Sequence, residues 1–270
     1  MKNIFKFSEQ PQFEKPSLIV GWEQDSGNLS PKVFEYLNKK LKGKSFCEIE
    51  PTGFFSLASV AIENNIAQFP VNKFYYSQRS DLVIFQGSEP QLERYGFLNV
   101  IADLAQYHFK IKELYTISGT ISPTAHTSPR LISAVYNQRE FQKSHQSYGL
   151  QDMNWEGPPA INSFLLWIAK NRDIPGASLW PQIPFYLAAG EDFQAIKITL
   201  SFLKTRFNLD LDFTELDEKI ENQNTKIEIL REEDSDIDKY IGMLEGELAL
   251  SETEQVELTM KVTELLEKND

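Results

Sequence analysis

The side chains of this sequence that could do chemistry are concentrated in one polar loop between two β-rich runs. The first run is LYTISG and the second is RLISAVY. Hydroxyl, imidazole and guanidinium groups could together bind an anion or move a proton, and the loop carries all three: Ser122, Thr124, His126, Thr127, Ser128 and Arg130. Such side chains are equally typical of a turn held by its own side-chain hydrogen bonds. Both interpretations remain open at this point.

Acidic residues follow two of the predicted strands. Glu23 and Asp25 come after the apolar run SLIVGW, and Glu89 comes after DLVIFQG. In an open parallel sheet the carboxyl ends of the strands share one rim, so these groups could converge with the loop. The resulting candidate ligand pocket specifies no reaction, and its residues are Glu23, Asp25, Glu89, Thr124, His126, Thr127 and Arg130.

Other kinds of site lack the spacing that their chemistry needs. The loop GWEQDSGNLS has no glycine pattern for phosphate, and GTISP is not the G-x-S-x-G of an α/β hydrolase. The three histidines, His108, His126 and His145, never fall three or four residues apart, so they form no metal-binding pair. No catalytic residue, no metal site and no cofactor are predicted.

Residues 1–208 alternate between strand-like and helix-like segments. Predicted strands include SLIVGW, SFCEIE, KFYYSQ, DLVIFQG and the proline-broken ASLWPQIPFYL, and a helix is predicted from Pro90 onward. Strands separated by helices favour an α/β domain: a three-layer α/β/α sandwich around a mostly parallel sheet.

Residues 209–270 are predicted to form an acidic helical hairpin. Apolar positions recur at spacings of three and four from Phe213 to Leu248, which predicts one unbroken coiled-coil helix roughly 50 Å long. Asp234 falls in this seam, where a buried carboxylate costs stability but can fix register. SETE, at residues 251–254, is a capping box that begins a second helix. The seam could be filled within the chain or could also bind a copy or a partner, and the candidate residues are Ile227, Leu230, Asp234, Ile237, Ile241 and Leu244.

Charge and composition exclude several functions. From Asp210 to Asp270 there are 20 Asp and Glu against 6 Lys and Arg, whereas the remaining residues are nearly neutral. The acidic part repels phosphate backbones and the rest has no basic stripe, so nucleic acid is not expected as a partner. The sequence has no apolar run long enough to span a membrane and no signal-peptide pattern. Its single cysteine, Cys47, favours a cytoplasmic protein.

Five blocks of the sequence resemble the proteasome assembly chaperone 2 family, in its bacterial type with a helical C-terminal extension. The resemblance runs in order from about Leu18 to Leu266, and its blocks are SLIVGWEQDSGNLSPKVFEYL, DLVIFQGSEPQLERYGF, YTISGTISPTAHTSPRLISAV, SLWPQIPFYLA and LDLDFTELDEKI. The resemblance implies a sandwich similar to nucleoside phosphorylases and hydrolases, a helical appendage, and a homo-oligomer such as a trimer. It also implies an assembly-chaperone role for the relatives whose function is established.

The chain departs from the family pattern at two places. The family loop commonly has the form P-H-T-R-P, but here Ser128 stands where arginine is usual. The family's W-x-H-x-P-H-Y pattern becomes Trp180-Pro181-Gln182-Ile183-Pro184-Phe185-Tyr186, without either histidine. The first departure puts in doubt an anion site built on that arginine.

We expect a non-enzymatic, assembly-chaperone-like or protein-binding protein that acts as a homo-oligomer and has another protein complex as a further partner. The alternative is an enzyme similar to a nucleoside phosphorylase or hydrolase, or to an ATP-dependent ligase, with its pocket at the carboxyl rim of the sheet. A shared fold alone is weak evidence for a shared enzymatic activity. The absence of catalytic motifs from the sequence therefore favours the first interpretation.

Overall fold

The computed structural model describes residues 4–77, 80–153 and 160–267 of the chain. Its strands are β1 (Phe5–Phe7), β2 (Ser17–Trp22), β3 (Lys44–Ile49), β4 (Ala61–Glu63), β5 (Ile66–Gln68), β6 (Asn72–Ser77), β7 (Leu82–Gly87), β8 (Glu113–Ile117), β9 (Thr120–Ser122), β10 (Ile132–Tyr136), β11 (Gln151–Asp152) and β12 (Gly176–Pro184). Its α-helices are α1 (Leu29–Leu41), α2 (Arg94–Asp103), α3 (Arg139–Ser144), α4 (Ile161–Lys170), α5 (Phe193–Phe207), α6 (Thr214–Glu233), α7 (Ser235–Glu245) and α8 (Glu252–Glu267).

A large sheet has the strand order β1-β3-β6-β7-β2-β8-β12-β10-β11, with β9 paired to β12. Strand β2 runs parallel to both of its neighbours, β7 and β8, and β8 runs parallel to β12. Toward one edge of the sheet the pairing is antiparallel: β1 pairs with β3, β3 with β6 and β6 with β7. The predicted fold class, an α/β protein with a mostly parallel sheet and C-terminal helices, is confirmed.

The chain divides into two compact units. The first comprises Met1–Gln24, Ser30–Ser118 and Ser133–Leu179, and the second comprises Asp25–Leu29, Gly119–Ile132 and Trp180–Asp270. The polar loop that carries most of the candidate site and the acidic helices therefore belong to the same unit. The prediction of one domain over residues 1–208 and another over 209–270 stays a prediction.

In the first unit, the apolar run SLIVGW explains the central strand. All six residues of β2 are buried, as expected for a parallel strand covered on both faces. A cluster of phenylalanines packs in the same unit, with Phe74 centred 4.8 Å from Phe85 and 5.2 Å from Phe109. Aromatic pairs at these distances add to the stabilisation that comes from burial. The pairing of β6 with β7 confirms the two strands predicted from KFYYSQ and DLVIFQG.

Two predictions for elements outside the acidic segment need correction. The helix expected from Pro90 begins at Arg94 and continues as a π-helix over Leu104–Phe109. The strand expected to be broken by proline runs without interruption from Gly176 to Pro184. Proline fixes φ and lacks the N–H, but the strand continues past Pro181, where Gln182 donates its own N–H to the Leu131 carbonyl at 2.9 Å. None of the described helices is long and apolar enough to cross a membrane.

The prediction of one unbroken helix from Phe213 to Leu248 is wrong, because the chain breaks at Asp234. This residue has extended φ and ψ of -133° and 103°, and its carboxylate accepts hydrogen bonds from the N–H groups of Asp236 and Ile237. A short acidic side chain competes well for free N–H groups at a helix start, so Asp234 ends α6 and caps α7. The described acidic segment therefore contains three helices rather than a hairpin of two.

The capping box predicted at residues 251–254 is confirmed. Ser251 donates its N–H to Glu254 Oε2 at 2.8 Å, and Glu254 donates its own N–H back to Ser251 Oγ at 3.4 Å. This reciprocal pair satisfies two of the N–H groups that a helix start leaves free. Helix α8 begins at this point, and it buries Leu258 and Val262.

Replacement of Asp234 tests the break between α6 and α7. We expect Asp234→Ala to lower the midpoint of urea unfolding, because the first N–H groups of α7 lose their acceptor. Asp234→Asn is the matched control and should keep most of the stability, since an amide oxygen accepts the same hydrogen bonds. Equal midpoints for the alanine variant and the unchanged protein would contradict this account of the break.

Candidate functional site

Arg130 holds the polar loop from inside the second unit. Its Nε donates to Asp192 Oδ2 at 2.8 Å, and the two side chains are only 2% and 1% exposed. Its Nη1 donates to the carbonyls of Ser128 at 2.7 Å and Ala125 at 3.2 Å. The guanidinium therefore binds an acid on one side and the loop backbone on the other, and this arrangement fixes the loop conformation.

Asp192 also caps the N-terminus of α5. Its Oδ1 accepts hydrogen bonds from the N–H groups of Gln194 and Ala195, each at 3.1 Å. A carboxylate at a helix N-terminus satisfies free donors and interacts favourably with the helix dipole. The buried negative charge is thus compensated by Arg130 and by the helix together.

His126 is buried and bonded twice to one tyrosine. Tyr186 Oη accepts the backbone N–H of His126 at 2.6 Å and lies 2.9 Å from its Nδ1. Burial, followed by the positive charges of Arg130 and Arg231, lowers the pKa of His126 to about 4. Burial also raises the pKa of Tyr186. The imidazole is therefore neutral and the hydroxyl protonated near neutral pH, so the tyrosine proton is available to donate to Nδ1.

Thr127 connects the loop to the helices of the same unit. Its Oγ1 donates to Glu245 Oε1 at 2.9 Å, at the end of α7. Arg231 in α6 donates to the same oxygen at 3.1 Å and to Asp238 Oδ1 at 2.9 Å. A loop hydroxyl, two helices and an arginine are thus joined in one network.

The remaining predicted pocket residues divide between the two units. Glu23 and Glu89 belong to the first, whereas Asp25 and Thr124 belong to the second with His126, Thr127 and Arg130. Ser88 Oγ hydrogen-bonds to the Glu23 carboxylate, and Asp25 accepts the N–H of Gly119 at 2.9 Å. The Thr124 hydroxyl is buried without a hydrogen-bond partner among the described residues. Convergence of all seven groups on one ligand stays a prediction.

A cavity of about 270 Å³ lies in the first unit. It is lined mainly by aromatic rings, among them Phe7, Phe13, Phe46 and Phe109, together with His108 and Lys110. None of the seven predicted pocket residues lines it. The cavity therefore gives no support to the rim pocket.

The six candidate oligomer or partner residues lie mainly inside the second unit. Ile227, Ile237 and Ile241 are fully buried and Leu244 is 3% exposed, while Leu230 and Asp234 are partly exposed. Their apolar side chains are packed within a single chain, as the intramolecular interpretation of the seam requires. Their contact with a copy or a partner stays a prediction.

Sequence reasoning missed four partners of the loop: Asp192, Tyr186, Arg231 and Glu245. Asp192 could have been found, because an aspartate directly before the run FQAIKITLSFL is a typical helix cap. Arg231 and Glu245 are 14 residues apart in sequence, and their proximity depends on the break at Asp234. Nothing in the local sequence indicates the contact between Tyr186 and His126.

Comparison with known proteins gives a consistent picture. A model of the PAC2 family matches residues 18–231. The structure of PbaB, an archaeal proteasome activator from Pyrococcus furiosus, is 26% identical, with 84% of this chain and 97% of that chain covered and a TM-score of 0.69. No match was found among curated proteins.

Two bacterial structures show the same fold at lower identity. A proteasome-assembly chaperone homologue from Mycobacterium tuberculosis is 17% identical, with 83% of this chain and 99% of that chain covered and a TM-score of 0.72. A PAC2 family protein from Streptomyces avermitilis is 19% identical, with 84% and 99% covered and a TM-score of 0.71.

Removal of the buried arginine tests its hold on the loop. We expect Arg130→Ala to lower the free energy of unfolding by about 3–5 kcal/mol, because it leaves the Asp192 carboxylate buried without its cation. The control is Lys197→Ala, which removes the exposed ion pair to Asp217 and should cost at most ~1 kcal/mol. Denaturant unfolding of both variants measures the difference, and equal losses would contradict a special role for Arg130.

The pKa of His126 predicts how stability depends on pH. The folded chain keeps the imidazole neutral down to about pH 4, whereas the unfolded chain protonates it below about 6.5. The stabilisation is therefore complete above pH 6.5 and is lost as the pH falls toward 4. Relative to His126→Gln, the protein should lose roughly 2 kcal/mol between pH 6.5 and 5. A constant difference across this range in denaturant titrations would show that the folded chain accepts the proton without cost.

Proposed function

Since this chain belongs to the PAC2 family, we propose that it is a non-enzymatic protein-binding protein with an assembly-chaperone-like role. In this proposal it acts in the cytoplasm as a homo-oligomer and binds subunits of a proteasome-type complex. The described loop between Gly119 and Leu131 provides the contact surface.

The relatives support the class of partner. The similar structures include those of an archaeal proteasome activator and of a proteasome-assembly chaperone homologue. A second protein from Pyrococcus furiosus, PbaA, is described as an archaeal homologue of a proteasome-assembly chaperone. All three proteins are named for a connection with the proteasome, and a proteasome-type partner is what we carry over to this chain.

The arrangement of the loop's side chains is the observation that supports the proposal most directly. Its polar side chains Arg130, His126 and Thr127 are bonded inward to other residues of the second unit. Two of its apolar side chains are exposed, Ile121 by 59% and Leu131 by 43%. A loop whose imidazole and guanidinium are engaged within the chain and whose Ile121 and Leu131 side chains are exposed fits the recognition of a protein surface better than acid–base chemistry on a small substrate.

The backbone of the loop is positioned for such a contact. Strand β9 pairs with residues 182–184 of β12, and the Leu131 carbonyl accepts the N–H of Gln182 at 2.9 Å. Both exposed apolar residues are therefore attached to hydrogen-bonded backbone. A surface that is already ordered loses little conformational entropy on binding, which favours affinity.

Affinity capture with the full chain, followed by direct binding to the purified partner, tests the proposal. We expect extract from the source cells to yield subunits of a proteasome-type complex at a fixed molar ratio to the chain. Substitution of both Ile121→Asp and Leu131→Asp should weaken binding to the purified subunit at least about tenfold, because charge replaces the apolar contact.

The control is Ile229→Asp, which introduces the same charge at a residue of the same unit that is 48% exposed. It should bind the subunit as the unchanged chain does. The proposal fails if the chain captures only itself, or if the double variant and the control bind equally well.

A further inference from the structure

A small β-hairpin in the first unit exposes an unusual amount of apolar surface. Strands β4 and β5 pair only with each other, as a separate two-stranded sheet of the described chain, and all six of their residues are exposed. We call residues 57–69 the hairpin arm. The exposed fraction is 94% for Leu57, 78% for Ile62 and 62% for both Ile66 and Phe69.

The hairpin arm has one face without polar side chains. Ile62 lies opposite Ala67, whereas Glu63 lies opposite Ile66 and Ala61 opposite Gln68. Because side chains alternate across a strand, Ile62 and Ala67 share one face and the charged and amide side chains share the other. A lone two-stranded hairpin is marginally stable in water and needs a further packed surface. The apolar face of the arm is therefore available to pack against another protein surface.

A second exposed apolar surface in the same unit is formed by α2, α4 and the residues before α2. We call it the aromatic patch, and its members are 46% to 56% exposed: Leu92, Tyr95, Phe164 and Trp167. The rings of Tyr95 and Trp167 are centred 6.0 Å apart, and Phe164 is one helical turn from Trp167. Exposed tyrosine and tryptophan are typical of the energetic centre of protein interfaces. The hairpin arm and the aromatic patch are both exposed in the single chain, so neither covers the other.

The net charge of the hairpin arm and the net charge at the margin of the aromatic patch are opposite in sign. Glu63 is the acid of the hairpin arm, whereas Arg94 is adjacent to Tyr95 and Lys170 is one helical turn from Trp167. None of these three side chains forms an ion pair with any described residue. Glu93 is also exposed beside Leu92, so the patch margin (Arg94 and Lys170 against Glu93) has a net charge of +1 against -1 for the arm. The arm and the patch therefore attract each other, while two arms or two patches would bring like net charges together.

We propose that the hairpin arm of one copy packs against the aromatic patch of a second copy. The proposal deepens the proposed function, since it rests on its homo-oligomer and names the surfaces that form it. The contact joins two different surfaces, so each copy still offers a free arm or a free patch to another. Such a head-to-tail contact closes into a ring when its rotation permits.

Chemical cross-linking distinguishes this contact from symmetric ones. Cys47 is buried, so cysteines introduced at exposed positions are the reactive thiols of the described chain. Two variants of the full chain, Gln68→Cys on the polar face of the arm and Lys170→Cys beside the patch, are co-expressed with different tags and treated with a short bis-maleimide. We expect cross-links between the two variants and none in either variant alone. Cross-linking within one variant alone, or no cross-linking between the two, overturns the proposal.

Substitutions at the contact provide an independent test. Ile62→Ser and Trp167→Ala should each shift the mass in light scattering toward the 31.1 kDa of one chain, while Gln68→Ala leaves the mass unchanged. Both changed residues are exposed, so the thermal midpoint of the isolated chain should move little. A chain that stays monomeric yet captures proteasome-type subunits would overturn this inference and leave the protein-binding function standing. An arm-dependent oligomer that captures no partner would do the reverse.

Discussion

The buried ion pair between Arg130 and Asp192 is the constraint on which the loop of the second unit depends. Taking two charges out of water is costly, and their mutual attraction offsets the cost only when every other donor and acceptor is satisfied. Here the guanidinium also binds two loop carbonyls and the carboxylate also caps α5. The pair therefore selects one loop conformation, which is a contribution to specificity more than to net stability.

With the loop fixed in this way, its inner and outer surfaces can serve different purposes. The inner surface holds a neutral imidazole, a protonated tyrosine and the ion pair, and it is continuous with the network of Thr127, Glu245 and Arg231. The outer surface exposes the apolar side chains of Ile121 and Leu131. The serine that replaces an arginine of the family's loop pattern contributes its backbone carbonyl to Arg130. The cation of this loop thus supports the structure from within.

The sequence predicted those features that depend on local pattern. The buried strand β2 follows from an apolar run, and the start of α8 follows from a capping box whose two partners are three residues apart. The break at Asp234 was missed because spacings of three and four continue across it, and a count of apolar positions does not include the backbone geometry that a capping carboxylate imposes. The partners of the loop were missed because contacts such as Tyr186 with His126 join residues 60 positions apart.

The break at Asp234 also divides the acidic helices into separate cooperative segments. The last backbone hydrogen bond of α6 is donated by Asp234 to the Leu230 carbonyl, and the first of α7 is donated by Asp238 to the Asp234 carbonyl. Because Asp234 itself has extended φ and ψ, helix propagation must be nucleated afresh on each side. Fraying that begins in α7 therefore cannot spread into α6 along an unbroken series of helical backbone hydrogen bonds. Within the second unit, α6 can keep the hydrogen bond that Gln223 donates to the Glu191 carbonyl while the turns of α7 open and close, so local unfolding is confined by a single carboxylate.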